Sequence, residues 1–99
     1  PTIIGTVLRG KLGFSGVVVS DDLNAVAVRG VPAGERAVRF VRAGGDIALT
    51  GLASAAPVMA QAVVTQAAND PAFAAKVDAS VKRVLTVKTR AGLTSCSAG

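Results

Sequence analysis

The chain contains no histidine, and this absence limits the chemistry that it can perform by itself. A Ser–His–Asp triad, a Cys–His pair and a histidine-ligated metal site are all excluded for this chain alone. Its single cysteine, Cys96, cannot form a disulfide within the chain and has no metal-ligand spacing around it. Acid–base chemistry would therefore have to use carboxylates, lysines or groups supplied from elsewhere.

Aromatic residues and long apolar runs are also scarce. Three phenylalanines are the only aromatic residues among 99, while 51% of the chain is apolar and built mainly on small side chains. No apolar run approaches the roughly 18 residues that a membrane span needs, and no signal-peptide pattern opens the chain. We therefore expect one small globular unit without a membrane span, and Pro1 in place of an initiator methionine suggests a piece of something longer.

The net charge of +5 raises the question of nucleic-acid binding. The basic residues are not interleaved with aromatics, and no nucleic-acid-binding motif accompanies them. We interpret them as solvated helix faces and predict no nucleic-acid partner. The residues concerned are Arg29, Arg36, Arg39, Arg42, Lys76, Lys82, Arg83, Lys88 and Arg90.

A short apolar strand runs directly into two carboxylates. Three consecutive valines in 16–20 are typical of a strand that is buried on both faces of a parallel sheet. Ser20, Asp21 and Asp22 then stand where this strand is predicted to end. In α/β proteins the carboxyl ends of parallel strands carry ligand sites and catalytic groups, so this sequence predicts a site.

The order of elements predicts an α/β fold with two parallel strands. Helices are predicted over 2–11, 33–43 and 57–69, with a last helix from Pro71 to near Gly92, and a second buried strand over 46–51. Asp70 is a plausible N-cap for the last helix, with Pro71 at its first position. Two parallel strands with apolar faces cannot cover themselves, so we expect the chain to belong to a larger α/β domain or to need a partner.

Three segments together resemble glycoside hydrolase family 3, and more narrowly its bacterial β-N-acetylhexosaminidase branch. Residues 8–23, LRGKLGFSGVVVSDDL, are similar to the branch pattern L-R-x-x-L-G-F-x-G-V-V-x-S-D-D-L. Residues 35–46 are similar to its A-x-x-x-x-x-A-G-x-D passage, and residues 77–88 to its closing helix with R-[IV]-L-x-x-K. The resemblance extends over about residues 2–93.

The resemblance implies that residues 1–93 form the C-terminal part of a (β/α)₈ TIM barrel, followed by a flexible tail at 94–99. It implies that Asp21 is the nucleophile of a retaining exo-β-N-acetylglucosaminidase, because the Asp after the motif's Ser has that role in the family. The implied substrate is a saccharide containing N-acetylglucosamine, and neither a cofactor nor a metal is implied. The substrate-binding residues stay unknown, and the compartment is open between bacterial cytoplasm and cell envelope.

Other interpretations of the acidic and basic residues stand beside this one. Ser-Asp-Asp after a strand is also a common helix cap, and we expect Asp22 to orient the loop or to accept N–H bonds from the next helix. We expect Asp46 to be a turn or packing residue. We also expect Arg36, Arg39 and Arg42 to be exposed on their helix.

The chain departs from the branch in two respects. Ala25 stands where the branch usually has Met, and the acid–base His, its partner Asp and the substrate-gripping residues of the branch lie in earlier segments that have no counterpart here. We therefore expect this chain to be inactive alone and to require the preceding barrel portion. The alternatives are a non-catalytic remnant, or a family 3 enzyme of other specificity such as a β-glucosidase, which usually has Trp after the nucleophile.

Overall fold

The structure, a computed structural model, describes residues 2–94 without the side chain of Val26. A wide π-type helix, Thr2–Lys11, is followed by strand β1, Val19–Asp22, and a single 3₁₀ turn, Val26–Val28. The remaining elements are α1 (Ala33–Arg42), β2 (Ile47–Leu49), α2 (Ala55–Asn69) and α3 (Pro71–Arg90). The tail expected at 94–99, with Cys96, lies outside the described residues except for Thr94.

The ends of the helices follow from local sequence signals. Asp70 caps α3, because its Oδ1 accepts a hydrogen bond from the Phe73 N–H at 3.1 Å and Pro71 occupies the first helical position. Helix α1 stops at Gly44, whose φ of 111° requires a glycine, and bonds from the N–H groups of Gly44 and Gly45 close a Schellman motif. Both features confirm the sequence prediction.

Strands β1 and β2 pair in parallel and are connected by α1, which confirms the α/β class. The predicted bounds of β1, 16–20, are wrong at both ends. The Val18 N–H donates to the carboxylate of Asp46 at 2.9 Å rather than to a strand carbonyl, while the Val18 carbonyl still accepts from the Ile47 N–H at 3.1 Å. The strand begins at Val19 and continues through Asp22, so both carboxylates belong to the strand.

The helices form the core on one side of the sheet. One buried cluster joins α1 to α2 through Ala37, Ala55 and Met59, and a second joins α1 to α3 through Val38, Val41 and Phe73. Helices α1 and α2 approach closely at Gly34, where a Cβ would lie 2.7 Å from the Cβ of Ala62. The small residues of the sequence thus permit close helix packing.

The sheet itself is largely uncovered, so the strands that the sequence predicts to be buried on both faces of a parallel sheet are exposed in this chain. Val19 is 53% exposed and Leu49 is 49% exposed. An open groove of about 630 Å³ with mainly apolar walls lies between β2 and helices α1, α2 and α3. This exposure confirms the expectation that two strands cannot cover their own apolar surface. Among residues 2–94, no helix is long and apolar enough to cross a bilayer.

Candidate functional site

The candidate site lies where the two parallel strands end. Asp21 and Asp22 are the last residues of β1, and Thr50 and Gly51 follow the end of β2. Because the strands are parallel, their carboxyl ends meet at one edge of the sheet. The sequence prediction of acidic side chains at this edge is therefore confirmed.

An irregular register separates the two ends of β1. Val19 pairs with Ile47 and Asp22 pairs with Leu49, so three steps along β1 correspond to two along β2. This is the geometry of a β-bulge, which adds one residue to a strand and changes the direction of the side chains there. The Ser20 hydroxyl accepts a hydrogen bond from the Leu49 N–H at 2.8 Å. A side chain thus replaces a backbone acceptor at the bulge.

Asp22 ties the end of β1 to the loop after β2. Its Oδ1 accepts hydrogen bonds from the N–H of Gly51 and from that of Asn24, each at 2.8 Å. The bond from Gly51, followed by that from Asn24, lowers the pKa of Asp22 below its usual value. The expectation that Asp22 orients the loop is therefore confirmed, and its carboxylate is ionised at neutral pH.

Asp21 has a different environment from its neighbour. Its side chain is exposed, and its Oδ1 accepts a hydrogen bond from the Asp22 N–H at 2.7 Å. Exposed Val19 and Asp21 alternate along β1 with the partly buried Ser20 and Asp22. The strand therefore uses Ser20 and Asp22 for contacts within the chain and leaves the second Asp21 oxygen open to an incoming molecule.

A buried carboxylate, that of Asp46, binds the backbone just before β1, at the end of the strand opposite the candidate site. The side chain of Asp46 is 0% exposed, and Arg9 contacts its Oδ2 at 2.6 Å while Arg83 contacts its Oδ1 at 2.7 Å. Its Oδ2 also accepts the bond from Val18. Burial by itself raises the pKa of Asp46, but the hydrogen bonds from Arg83 and Val18 outweigh it and leave the pKa lowered. The expectation of a packing role for Asp46 agrees with this geometry.

Asp46 and the two arginines that it binds join the three sequence segments that carry the family resemblance. Arg9 comes from the first, Asp46 from the second and Arg83 from the third. The interpretation of Arg83 as part of a solvated face is wrong, because its side chain is 25% exposed and is bound to a buried acid. The signal was available in the fixed Arg and Asp positions of the motifs, but the pairing depends on the tertiary structure.

The arginines of α1 also differ in their surroundings. Arg36 is partly buried, and it donates to the carbonyl oxygens of Val31 at 2.6 Å and Leu23 at 2.9 Å, so the expectation of an exposed residue is wrong. It anchors α1 to the segment that follows β1. Arg39 and Arg42 are exposed as expected, and Arg39 pairs with Glu35 one turn away.

Asp21 and Asp22 lie together at the end of β1, and the chain has no histidine to accompany them. Within residues 2–94, no three or more side chains of the His, Cys, Asp and Glu types are grouped so that they could hold a metal ion. The open Asp21 carboxylate can serve as a nucleophile or stabilise a positive charge. The proton that a leaving group requires would have to come from another group.

Comparison with known proteins gives a consistent result. Residues 1–87 match the Glycosyl hydrolase family 3 N terminal domain. The fold is similar to β-N-acetylhexosaminidase from Beutenbergia cavernae, with a TM-score of 0.85 and 44% identity over 89% of this chain and 27% of that chain. It is also similar to β-N-acetylglucosaminidase from Thermotoga maritima, with a TM-score of 0.78 and 32% identity over 86% of this chain and 19% of that one.

A third similar structure is zinc-bound CbsA from Thermotoga neapolitana, with a TM-score of 0.78 and 27% identity over 90% of this chain and 20% of that chain. No curated protein sequence matches the chain significantly. The chain thus spans between 19% and 27% of the length of these three structures.

Proposed function

The chain belongs to glycosyl hydrolase family 3, and from this membership we propose that it forms the last part of the catalytic barrel of a retaining exo-β-N-acetylglucosaminidase. In this proposal residues 1–93 are the barrel portion and 94–99 a tail. The substrate is a saccharide with a terminal N-acetylglucosamine. The complete barrel, as we use the term, is this chain joined to the preceding barrel segments.

The observation that carries the proposal is the exposed Asp21 carboxylate at the carboxyl end of β1. Its neighbours Ser20 and Asp22 are both engaged with β2 or the loop after it, so Asp21 is the carboxylate at this edge that can meet a substrate. The two similar structures named as hexosaminidase and glucosaminidase support the choice of sugar.

The proposed reaction takes place in two steps. First, an Asp21 oxygen attacks the anomeric carbon, the bond to the leaving-group oxygen breaks, and an acid outside this chain protonates that oxygen. Second, water attacks the same carbon, the bond to Asp21 breaks, and the outside group, now a base, takes the proton from water. Asp21 regains its charge, and the sugar keeps its β configuration.

The missing acid explains why we propose that the chain is inactive alone. The branch that it resembles uses a histidine and an aspartate from an earlier loop, and this chain has no histidine. Proton delivery to a leaving group contributes about 10²- to 10⁴-fold in rate. The open apolar groove beside β2 supports the same proposal, since preceding barrel segments would cover it.

The first experiment compares Asp21→Asn with Asp78→Asn in the complete barrel. Asp78 is exposed on α3, so its variant makes the same chemical change away from the site. We expect Asp21→Asn to reduce turnover of an aryl β-N-acetylglucosaminide on the order of 10⁴-fold or more while the protein stays folded, and Asp78→Asn to keep normal turnover. Normal activity of Asp21→Asn would overturn the proposal.

The second candidate is a non-catalytic remnant, which the absence of any histidine favours. The coding sequence upstream of Pro1 separates the two candidates. An in-frame extension of about 200 or more residues with the His loop supports the enzyme, and a start codon at or near Pro1 supports the remnant. A third candidate, a β-glucosidase, requires the complete barrel to prefer an aryl β-glucoside over the aryl β-N-acetylglucosaminide.

A further inference from the structure

The two residues that flank Asp21 make contacts that bear on how its carboxylate is held. Ser20 binds the Leu49 N–H of β2, and Asp22 binds the Gly51 N–H in the loop that follows, each at 2.8 Å. The β-bulge lies between the paired residues Val19 and Asp22, so Asp21 lies within it. Side chains therefore tie the irregular segment to the neighbouring strand at Ser20 and to the loop after that strand at Asp22.

We propose that Ser20 and Asp22 are positioning residues that hold this bulge and thereby direct the Asp21 carboxylate toward the anomeric carbon. The proposal rests on the proposed function, because it presumes that Asp21 is the nucleophile. A bulge leaves backbone groups without ladder partners and bends its strand, so its direction depends on what replaces those bonds. Here the Ser20 hydroxyl and the Asp22 carboxylate replace them.

Asp22 is well suited to hold this position. Its Oδ1 accepts two backbone N–H groups, one from its own loop and one from the loop after β2. Bonds to an ionised acceptor are roughly twice as strong as those between neutral groups. The Leu23 N–H continues the pairing by donating to the Leu49 carbonyl at 2.8 Å, so the chain is held on both sides of Asp22.

The backbone of Gly51 approaches the Asp22 carboxylate closely. A Cβ on Gly51 would lie 2.7 Å from the Asp22 Oδ2, which is closer than a real Cβ contact. Glycine at position 51 therefore lets the loop backbone approach the carboxylate. A side chain there would displace Asp22 without changing its chemical nature, which provides an independent way to disturb the bulge.

The test is a kinetic comparison of variants of the complete barrel. Ser20→Ala and Asp22→Ala remove the two acceptors, and Gly51→Ala disturbs Asp22 from the opposite side. Because a displacement of about 1 Å in a reacting group can reduce turnover about 10²-fold, we expect each variant to lower kcat about 10- to 100-fold. KM should stay within about 3-fold, since a misdirected nucleophile weakens stabilisation of the transition state and not binding of the substrate.

Conservative variants and a matched control distinguish positioning from general stability. Asp22→Asn keeps an amide oxygen that can accept both N–H bonds, and Ser20→Thr keeps the hydroxyl, so both should retain most of kcat. Asp70→Ala is the control, because it also removes a carboxylate that accepts a backbone N–H, at the start of α3. We expect it to lower the melting temperature without lowering kcat.

Each outcome decides between the possibilities. Normal kcat in Ser20→Ala, Asp22→Ala and Gly51→Ala, with an inactive Asp21→Asn, would overturn the positioning role and leave the proposed function intact. A loss of kcat that Asp70→Ala shares at equal thermal destabilisation would also overturn it. An active Asp21→Asn would instead overturn the proposed function. If Asp22→Ala does not fold, Ser20→Ala and Gly51→Ala decide.

Discussion

Replacing Asp46 by Asn in the complete barrel should destabilise it far more than the loss of a surface ion pair. Asp46 is fully buried between two arginines, and breaking a buried pair by removing one partner typically costs about 3 to 5 kcal/mol. Arg9 and Arg83 are 16% and 25% exposed, so both can regain some hydration. We therefore expect the lower end, a loss of about 3 kcal/mol.

Glu35→Gln is the matched control, since it makes the same change from acid to amide in an exposed pair. The Arg39 and Glu35 side chains are 63% and 46% exposed and lie one turn apart on α1. Pairs of this kind contribute about 0.5 kcal/mol or less. Urea titration followed by circular dichroism gives both free energies of unfolding. A difference below about 1 kcal/mol between the two variants would refute the claim that the buried acid holds the three segments together.

Three further predictions follow from the same contacts. The folded-state pKa of Asp46 is lowered, so its contribution to stability is complete above the ordinary value of 3.8 and is lost as the pH falls through the lower folded-state value. The difference in free energy of unfolding between wild type and Asp46→Asn should therefore become smaller over this acidic range. A difference that grows as the pH falls would contradict this prediction. Asp70→Ala should lower the melting temperature of the complete barrel, but by less than Asp46→Asn, and an unchanged value in calorimetry would contradict its capping role. The 99-residue chain alone should bind a hydrophobic dye and aggregate, because Val19, Leu49 and Val64 are 53%, 49% and 62% exposed; a sharp thermal transition from a monomer would argue against an incomplete sheet.

Local signals were sufficient to predict the end of α1, the start of α3 and the family, whereas α2 begins at Ala55, two residues before the predicted start at 57. Asp70 with Pro71 marks the start of α3, and Gly44 marks the end of α1, because capping chemistry depends on a few adjacent residues. The resemblance is confirmed by the match of residues 1–87 and by the fold shared with family enzymes. The two parallel strands and their helices agree with the barrel that this resemblance implies.

Features that depend on distant residues were not predictable in the same way. The Val18 N–H, just before β1, is bound by Asp46, which lies 28 residues further along the chain. The partial burial of Arg36 and Arg83 depends on partners in other elements, so charge pattern alone assigned them to the surface. At the site, the acidic pair was visible in the sequence, but the bulge and the Ser20 contact exist only once β2 lies alongside.

Covalent trapping tests the central claim most directly. The probe is an N-acetylglucosaminyl fluoride with a second fluorine on C5, which slows both steps of the reaction. Its fluoride leaving group keeps formation of the glycosyl-enzyme faster than its hydrolysis, so the glycosyl-enzyme accumulates. Mass spectrometry of the digested complete barrel should find the sugar on Asp21, and Asp21→Asn should remain unlabelled. A label on any other residue, or turnover without a covalent adduct on Asp21, would contradict the account.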